Sequence, residues 1–336
     1  MIFTDLTIQD RIDLIDYVSS QTGYRSQIVE KDWWVTTVLR VIFNLPYANE
    51  LSFKGGTNLS KCWKLIRRMS EDIDIAVNRE FLGFNGELSK TQISDKLRRA
   101  ACSFVRERMQ SDIKSGLLEQ GISHELFDVW VDITPISTTD PEIVYVSYHP
   151  LYSDVEYVKP QVKIEISGRS MSEPIEKVSV KSFIGETIEN LVLDELPVEV
   201  NAVVPERTFL EKLFLLHEEF AKPTSQIRVE RMSRHLYDID QMLDTDIAES
   251  AIRNNDLYRQ VIEHRKKFIG LKGFDYSTLE KATIHFVPEG EIREKWASDY
   301  KNTIMSMVLG DAHTFEEVIR RFENFNRKVN SMGQHE

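Results

Sequence analysis

The stretch from Leu51 to Val77, LSFKGGTNLSKCWKLIRRMSEDIDIAV, limits the possible folds of this chain more than any other segment. Leu51 and Phe53 alternate with polar residues, which predicts a half-buried strand that ends at two glycines. Glycine tolerates positive φ and lets a bulky ligand lie against the backbone. Apolar residues spaced by three and four then predict a helix from about Asn58, whose free N–H groups suit a phosphate.

The second half of this stretch predicts a strand with two carboxylates on one face. Asp72 and Asp74 project from one side of the strand, and Ile73 and Ile75 from the other. Carboxylate oxygens are ligands that Mg²⁺ prefers, and without a cation the two groups would repel each other. Either half alone is compatible with an ordinary turn or a solvated strand, but the ordered pair favours a metal-dependent phosphate site.

The whole chain has the composition of a globular protein with two domains. Of its 336 residues, 41% are hydrophobic and 29% are charged, which is enough for real cores. The net charge of −12 argues against a surface that binds nucleic acid throughout, although it allows a local basic patch. Two cysteines and the lack of a long apolar run predict a reduced, cytoplasmic protein with no membrane span.

The patterns along the chain predict an α+β protein with a domain boundary near residue 200. Two helices precede the opening stretch, and in the second we expect Glu30–Asp32 to form an exposed, paired face or Lys31 to reach a phosphate. A helix is predicted at 91–110, and strands at 126–133, 142–149 and 155–166. Beyond Pro205 the pattern is almost entirely helical. The GxxxxGK[ST] motif is absent, which excludes a P-loop enzyme. The GxSxG motif is also absent, which excludes the nucleophile elbow of an α/β-hydrolase.

Three segments together resemble a known family. The ordered unit at 51–77 resembles the active-site unit of nucleotidyltransferases with a DNA polymerase β-like fold. Its fuller form, GGTxLxK…RxSEDIDI, is similar to the AbiEii toxin family, which includes MenT-type toxins. The segments Glu211–Leu213 (EKL) and Arg234–Ile239 (RHLYDI) match two further elements of that family.

The resemblance implies both a fold and an activity. It implies a nucleotidyltransferase-fold catalytic domain at 1–200, with a mixed β-sheet flanked by helices, and a helical domain at 201–336 that contributes Lys212 and Asp238 to the cleft. It further implies a Mg²⁺-dependent toxin of a toxin–antitoxin or abortive-infection system, with Mn²⁺ as a substitute ion. Such an enzyme would transfer NMP from an NTP to an RNA acceptor, with the tRNA 3′ end favoured, and would be paired with a cognate antitoxin protein. The alternatives are a nucleotide-binding interaction protein without transfer and a kinase-like phosphotransferase on the same scaffold.

The same resemblance implies the site residues. The catalytic candidates are Asp72, Asp74, Lys212 and Asp238, and the nucleotide-binding candidates are Lys54, Gly55, Gly56, Thr57, Ser70 and Lys212. Asp72 and Asp74 would bind the metal, with a third ligand from Glu165 or, alternatively, Asp132. Lys212 would neutralise triphosphate charge. Asp238 would orient Lys212 or Arg234, or help the attacking hydroxyl to lose its proton, and Arg68 would brace the acidic strand.

Overall fold

The computed structural model describes residues 2–68, 72–132, 140–152, 158–188, 193 and 196–334. The chain divides into two compact units. The first unit comprises Met1–Cys62 and Glu71–Val203, and the second comprises Trp63–Ser70 and Val204–Glu336. The short segment 63–70 therefore belongs to the second unit, although the chain on both sides of it belongs to the first.

A mixed β-sheet forms the centre of the first unit. Its strands are β1 (Leu51–Lys54), β2 (Asp72–Val77), β3 (Phe127–Val131), β4 (Glu142–Tyr148), β5 (Gln161–Ser167), β6 (Ile175–Val180) and β7 (Val198–Val203). Their order across the sheet is β3-β4-β5-β2-β1-β7-β6. Strand β2 runs parallel to β5 and antiparallel to β1, and β1 runs parallel to β7. The predicted α+β class with a mixed sheet is confirmed.

Helices flank this sheet. They are α1 (Ile8–Thr22), α2 (Ser26–Asn44), α3 (Gly55–Lys61), α4 (Arg98–Phe104), α5 (Gln110–Glu119) and α6 (Phe183–Thr187). A π-helical turn, Gln92–Leu97, directly precedes α4, and a second, Val105–Met109, joins α4 to α5, so that all four form one helical run. The helix predicted at 91–110 is thus confirmed, and it continues to Glu119.

The helix after β1 differs from the prediction. It begins at Gly55, three residues before the expected Asn58, and ends at Lys61. The two glycines therefore form its first turn instead of a turn that precedes it. Trp63 and Ile66, which were expected on its buried face, lie in the segment that belongs to the second unit. The regular spacing of these apolar residues predicts one longer helix. In the structure, the residues up to Cys62 and those from Trp63 belong to two different units.

The polar segment Glu30–Asp32 of α2 is buried, so the expectation of an exposed helix face is wrong. Asp32 accepts hydrogen bonds from Lys61 Nζ at 2.5 Å and from the Phe183 backbone N–H at 2.7 Å. Burial of such groups is tolerated because each has a partner inside the protein. Asp32 thereby links α2 to the ends of two other helices.

The second unit is helical, as the sequence predicts for the residues after Pro205. Its helices are α7 (Pro205–Phe220), α8 (Arg234–Met242), α9 (Asp246–Arg253), α10 (Asn255–His264), α11 (Gly290–Met307) and α12 (Phe315–Gly333). Pro205 occupies the first turn of α7, where its missing N–H costs nothing. Across the residues described, no helix combines the length and the apolar character needed to cross a membrane.

Glu30 is the basis of a stability prediction. Its Oε1 accepts a hydrogen bond from the Leu151 N–H at 2.9 Å. Burial nevertheless raises the pKa of its carboxyl from 4.5 to about 7. Because the folded pKa lies above the unfolded one, this group stabilises the fold below pH 4.5 and loses that contribution as the pH rises through about 7.

We expect Glu30→Gln to remove this pH dependence, since an amide keeps the acceptor oxygen but does not ionise. Between pH 4.5 and about pH 8, the unfolding free energy of the variant should gain roughly 3 kcal/mol on the wild type. Urea unfolding across this pH range measures the difference. Glu176→Gln, on the exposed face of β6, is the matched control and should follow the wild type. Parallel stability curves for Glu30→Gln and wild type would refute the buried-carboxyl account.

Candidate functional site

Strand β2 presents its two carboxylates on one face of the sheet. Ile73 and Ile75 are fully buried on the opposite face, while the side chain of Asp72 is 38% exposed. Asp74 lies on the same side as Asp72, because alternate residues of a strand share a face. The apolar half of the DIDI pattern fixes the strand in the core, and this burial points the carboxylates outward.

Strand β5 adds two charged side chains to the same face. Lys163 is in register with Asp72, and Glu165 is in register with Asp74. The ammonium of Lys163 lies 3.9 Å from Asp72 Oδ2 and donates to Glu165 Oε1. We call these four residues the carboxylate face. Lys163 was not among the sequence candidates, although the alternation of QVKIEIS puts it on the side of Glu165.

The first turn of α3 packs directly against this face. Gly55 has φ +80°, and a Cβ built on it would lie 2.0 Å from Asp74 Oδ2. A side chain at this position would therefore displace the carboxylate as well as strain the backbone. Thr57 is buried and donates its hydroxyl to the Asp72 backbone oxygen at 2.5 Å. The GGT and DID motifs are thus held together by direct contact.

The remaining nucleotide-binding candidates of the first unit occupy simpler positions. Lys54 is in register with Asp74 on the neighbouring strand β1, so its side chain lies on the carboxylate face. Gly56 is the second residue of α3. Ser70 lies outside the described residues.

The carboxylate face can be compared with the needs of a divalent cation. Among the described residues, no group of three or more His, Cys, Asp or Glu side chains is arranged to hold a metal ion. The donor set nevertheless fits a hard cation, because carboxylates of two adjacent strands converge around a positive charge, the Lys163 ammonium. Glu165 is beside Asp74, whereas Asp132 follows β3, which β4 and β5 separate from β2.

The second unit contains a buried ionic cluster. Arg68 contacts both carboxylate oxygens of Asp238, with Nε 2.6 Å from Oδ1 and a terminal nitrogen 2.8 Å from Oδ2. Lys212 Nζ lies 2.9 Å from Asp238 Oδ2. We call these three residues the cation cluster, because two cations share one anion. Asp238 is fully buried, and Arg68 and Lys212 are nearly so.

Three separate segments supply the cation cluster. Lys212 comes from α7 and Asp238 from α8. Arg68 is held in place by its backbone, because it forms a β-bridge with Val308, and the Leu309 N–H donates to the Arg67 oxygen at 2.8 Å. The Arg68 guanidinium binds Asp238, and its bracing of the acidic strand stays a prediction. The sequence gives no sign of this pairing, since 170 residues separate the two partners.

Burial and charge together set the protonation of the cation cluster. Burial would raise the pKa of Asp238, but Arg68 and Lys212 outweigh it and hold that pKa far below its usual value. Burial lowers the pKa of Lys212, which Asp238 raises and the Arg68 charge lowers further. Burial and the charge on Lys212 also hold the pKa of His235 well below its usual value. His235 Nδ1 lies 3.4 Å from Lys212 Nζ, so a neutral ring can accept from the ammonium.

We expect Asp238→Asn to destabilise the protein strongly. The substitution leaves Arg68 and Lys212 buried without their counter-charge, which costs about 3–5 kcal/mol when one partner of a buried pair is removed. Because the folded pKa of Asp238 is lowered, its contribution is present above the unfolded pKa and is lost only in strong acid. Urea unfolding at neutral pH measures the loss.

Two further variants make this test specific. Asp311→Asn changes an exposed aspartate of the same unit and should leave stability unchanged. Adding Arg68→Met to Asp238→Asn removes one of the two cations that have lost the Asp238 carboxylate, so it should recover part of the lost stability. A wild-type unfolding curve for Asp238→Asn would contradict the buried cluster.

Comparison with known proteins gives a family match. The family model described as "Nucleotidyl transferase AbiEii toxin, Type IV TA system" matches residues 37–324. No curated protein matches this chain. Among solved structures, this chain is similar to MenT4, a nucleotidyltransferase toxin from Mycobacterium tuberculosis H37Rv, with 16% identity and a TM-score of 0.46. That alignment covers 96% of this chain and 99% of the other.

Proposed function

This chain belongs to the AbiEii nucleotidyl transferase toxin family, and from that premise we propose that it transfers NMP from an NTP to RNA with the help of Mg²⁺. The observation that carries the proposal is the contact of Gly55 with Asp74, which joins a phosphate-binding helix start to a pair of metal-binding carboxylates. Addition of a nucleotide to an RNA end would block translation and growth, and we favour the tRNA 3′ end as the acceptor.

In this proposal the carboxylate face holds the metal. Asp72 and Asp74 supply two ligands and Glu165 supplies the third, because it is next to Asp74 on β5. When bound, Mg²⁺ stabilises charge on the entering and leaving oxygens. Lys163 then has to release Glu165, since one carboxylate oxygen cannot serve both the ammonium and the metal at full strength.

The first turn of α3 binds the triphosphate in the same proposal. The first N–H groups of a helix have no acceptor within the helix, so the backbone of Gly55 and Gly56 suits phosphate oxygens. The Thr57 hydroxyl already donates to Asp72 O, so the backbone is the better donor at this residue. Lys54 and Ser70 would add polar contacts.

The cation cluster supplies positive charge to the leaving pyrophosphate. Lys212 contacts Asp238 and suits a triphosphate as a point charge. The very low pKa of Asp238 makes it a weak base, so we assign it the orientation of Lys212 and not proton removal.

The reaction itself needs no covalent intermediate on the protein. An RNA hydroxyl forms a new bond to the α-phosphorus, the bond to pyrophosphate breaks, and the hydroxyl proton passes to water. The protein contributes position and charge, as in other phosphoryl transfers. A cytoplasmic toxin of this kind would be held in check by a cognate antitoxin protein, and an abortive-infection role against viruses follows from the same activity.

We expect Asp72→Ala and Lys212→Ala to abolish both nucleotide transfer and growth inhibition. The first removes a metal ligand, and the second removes the charge that stabilises the leaving group, so transfer should fall by at least about a hundredfold. Incubation of the purified protein with labelled NTPs and total RNA measures transfer, and expression in a growing culture measures toxicity. Glu176→Ala, exposed on β6, should remain active and toxic.

The outcome of this assay separates the proposal from its alternatives. Label on RNA that carries the α-phosphate supports nucleotide transfer, whereas label only from the γ-phosphate would indicate a kinase-like phosphotransferase. Bound nucleotide with no label on RNA would indicate a binding protein without turnover. A toxic Asp72→Ala variant would overturn the enzymatic account.

The third metal ligand is tested by Mn²⁺ binding, which is independent of activity. We expect Glu165→Gln to weaken Mn²⁺ binding about tenfold or more, because it replaces a charged ligand beside Asp74 with a neutral one. Asp132→Asn should bind Mn²⁺ as the wild type does, since β4 and β5 lie between its strand and β2. The electron paramagnetic resonance signal of free Mn²⁺ measures both. The reverse ranking of the two variants would assign the ligand to Asp132.

A further inference from the structure

A stacked pair of aromatic rings, one exposed and one half-buried, lies on the same side of the sheet as the carboxylate face. Trp130 on β3 and Tyr145 on β4 stack with ring centroids 4.2 Å apart and planes 19° apart. We propose that this pair, the aromatic platform, stacks against the terminal base of the acceptor RNA strand. The inference rests on the function proposed above and adds to it the surface that receives the acceptor.

The platform is a built feature and not a loose surface side chain. Trp130 keeps 36% of its surface exposed, although it is a large aromatic residue. Its indole N–H donates to Ser147 Oγ at 3.0 Å, so the ring is fixed at one end by a hydrogen bond and along its plane by Tyr145. A ring held in this way offers a flat surface whose position costs little entropy on binding.

Strand register links the platform to the metal-binding carboxylates. Trp130 pairs with Tyr145, Tyr145 with Lys163, and Lys163 with Asp72. Paired residues of neighbouring strands lie on one side of the sheet, so these four side chains form a single row. Tyr145 is two strands from Asp72 and Trp130 is three strands away, which correspond to distances of about 10 Å and about 14 Å. The terminal nucleotide can extend along this row, with its sugar hydroxyl towards Asp72 and its base towards the platform.

The sheet order favours the acceptor over the incoming NTP. The glycines that would hold the triphosphate follow β1, on one side of β2, whereas β4 and β3 lie on the other side, beyond β5. In phosphoryl transfer the attacking and leaving oxygens are roughly in line across the phosphorus. An acceptor that attacks opposite to the pyrophosphate therefore approaches from the side of the platform.

Local charge favours a base over a phosphate at the platform itself. Asp128 and Asp132 are exposed on the same strand or directly after it, and their carboxylates repel a sugar–phosphate backbone. A nucleobase is neutral, and its stacking on an aromatic ring contributes about 1–3 kcal/mol whatever the base. Lys163 lies between the platform and Asp72. Within this row of side chains, it is the cation that would face the phosphate of the terminal nucleotide.

We test this with Trp130→Ala and an RNA hairpin that carries a tRNA 3′ end. The variant should raise the KM for the RNA about tenfold, as expected for the loss of one stacking contact. Its KM for the NTP and its Mn²⁺ affinity should stay at wild-type values. Trp130→Phe, which keeps an aromatic ring, should recover most of the loss. Tyr17→Ala removes an exposed aromatic ring from α1 and should behave as wild type.

A second RNA shows whether the base is what the platform binds. An acceptor that ends in an abasic ribose keeps the attacking hydroxyl but has no terminal base. If the base stacks on Trp130, Trp130→Ala should have no further effect on this RNA, so the two changes are not additive. Equal effects of Trp130→Ala on both RNAs would refute the platform, and a rise in KM for the NTP alone would assign the rings to the incoming nucleotide.

The same experiment separates this inference from the function on which it rests. A wild-type protein that labels RNA, together with an unaffected Trp130→Ala variant, would refute the platform and leave nucleotide transfer intact. A wild-type protein that labels neither the hairpin nor total RNA would refute the transfer function itself. Thermal unfolding of each variant checks that the exposed substitutions leave the fold intact.

Discussion

The contact between Gly55 and Asp74 is the constraint on which the candidate site depends. No side chain fits at Gly55, because the Asp74 carboxylate lies where a Cβ would be. Thr57 adds a second link by donating to the backbone of Asp72. These two contacts fix the first turn of α3 relative to β2 without any ligand. Glycine is therefore needed at position 55 for two reasons: it leaves room for the Asp74 carboxylate, and it adopts a positive φ without strain.

Electrostatics explains why each unit has its own kind of charged cluster. In the first unit, carboxylates that converge on adjacent strands need a nearby cation, and the Lys163 ammonium provides it. In the second unit, Asp238 is buried between two cations, Arg68 and Lys212. The first cluster suits a metal ion and the second suits an anion.

Much of the fold could be predicted from the sequence, because its local patterns are strong. The alternation in β2 and β5, the start of α7 at Pro205 and the helical C-terminal half were all visible as patterns of two or of three and four residues. The extent of α3 differs from the prediction because Leu59 is buried in the first unit, whereas Ile66 is buried in the second. Local spacing does not reveal which unit buries a residue.

The parts of the site that escaped prediction depend on long-range contacts. Arg68 pairs with a residue 170 positions away, and the burial of Glu30–Asp32 depends on partners from α3 and α6. A charged segment within a helix looks solvated until those partners are known. The alternation of β5 places Lys163 on the same face as Glu165. Its position beside Asp72 depends on the register between β5 and β2, and local sequence patterns do not determine that register.

The net charge of −12 bears on how such a protein would recognise RNA. A protein that relies on many phosphate contacts gains affinity by release of counterions, and an acidic protein gains little in this way. In the proposed function, recognition would then depend on a few contacts at the end of the strand, where a metal ion, one lysine and a flat aromatic surface would act together. Stacking on Trp130 and Tyr145 is insensitive to the sequence of the strand but requires an unpaired terminal base. An acceptor with a free single-stranded 3′ end meets that requirement, and a blunt duplex does not.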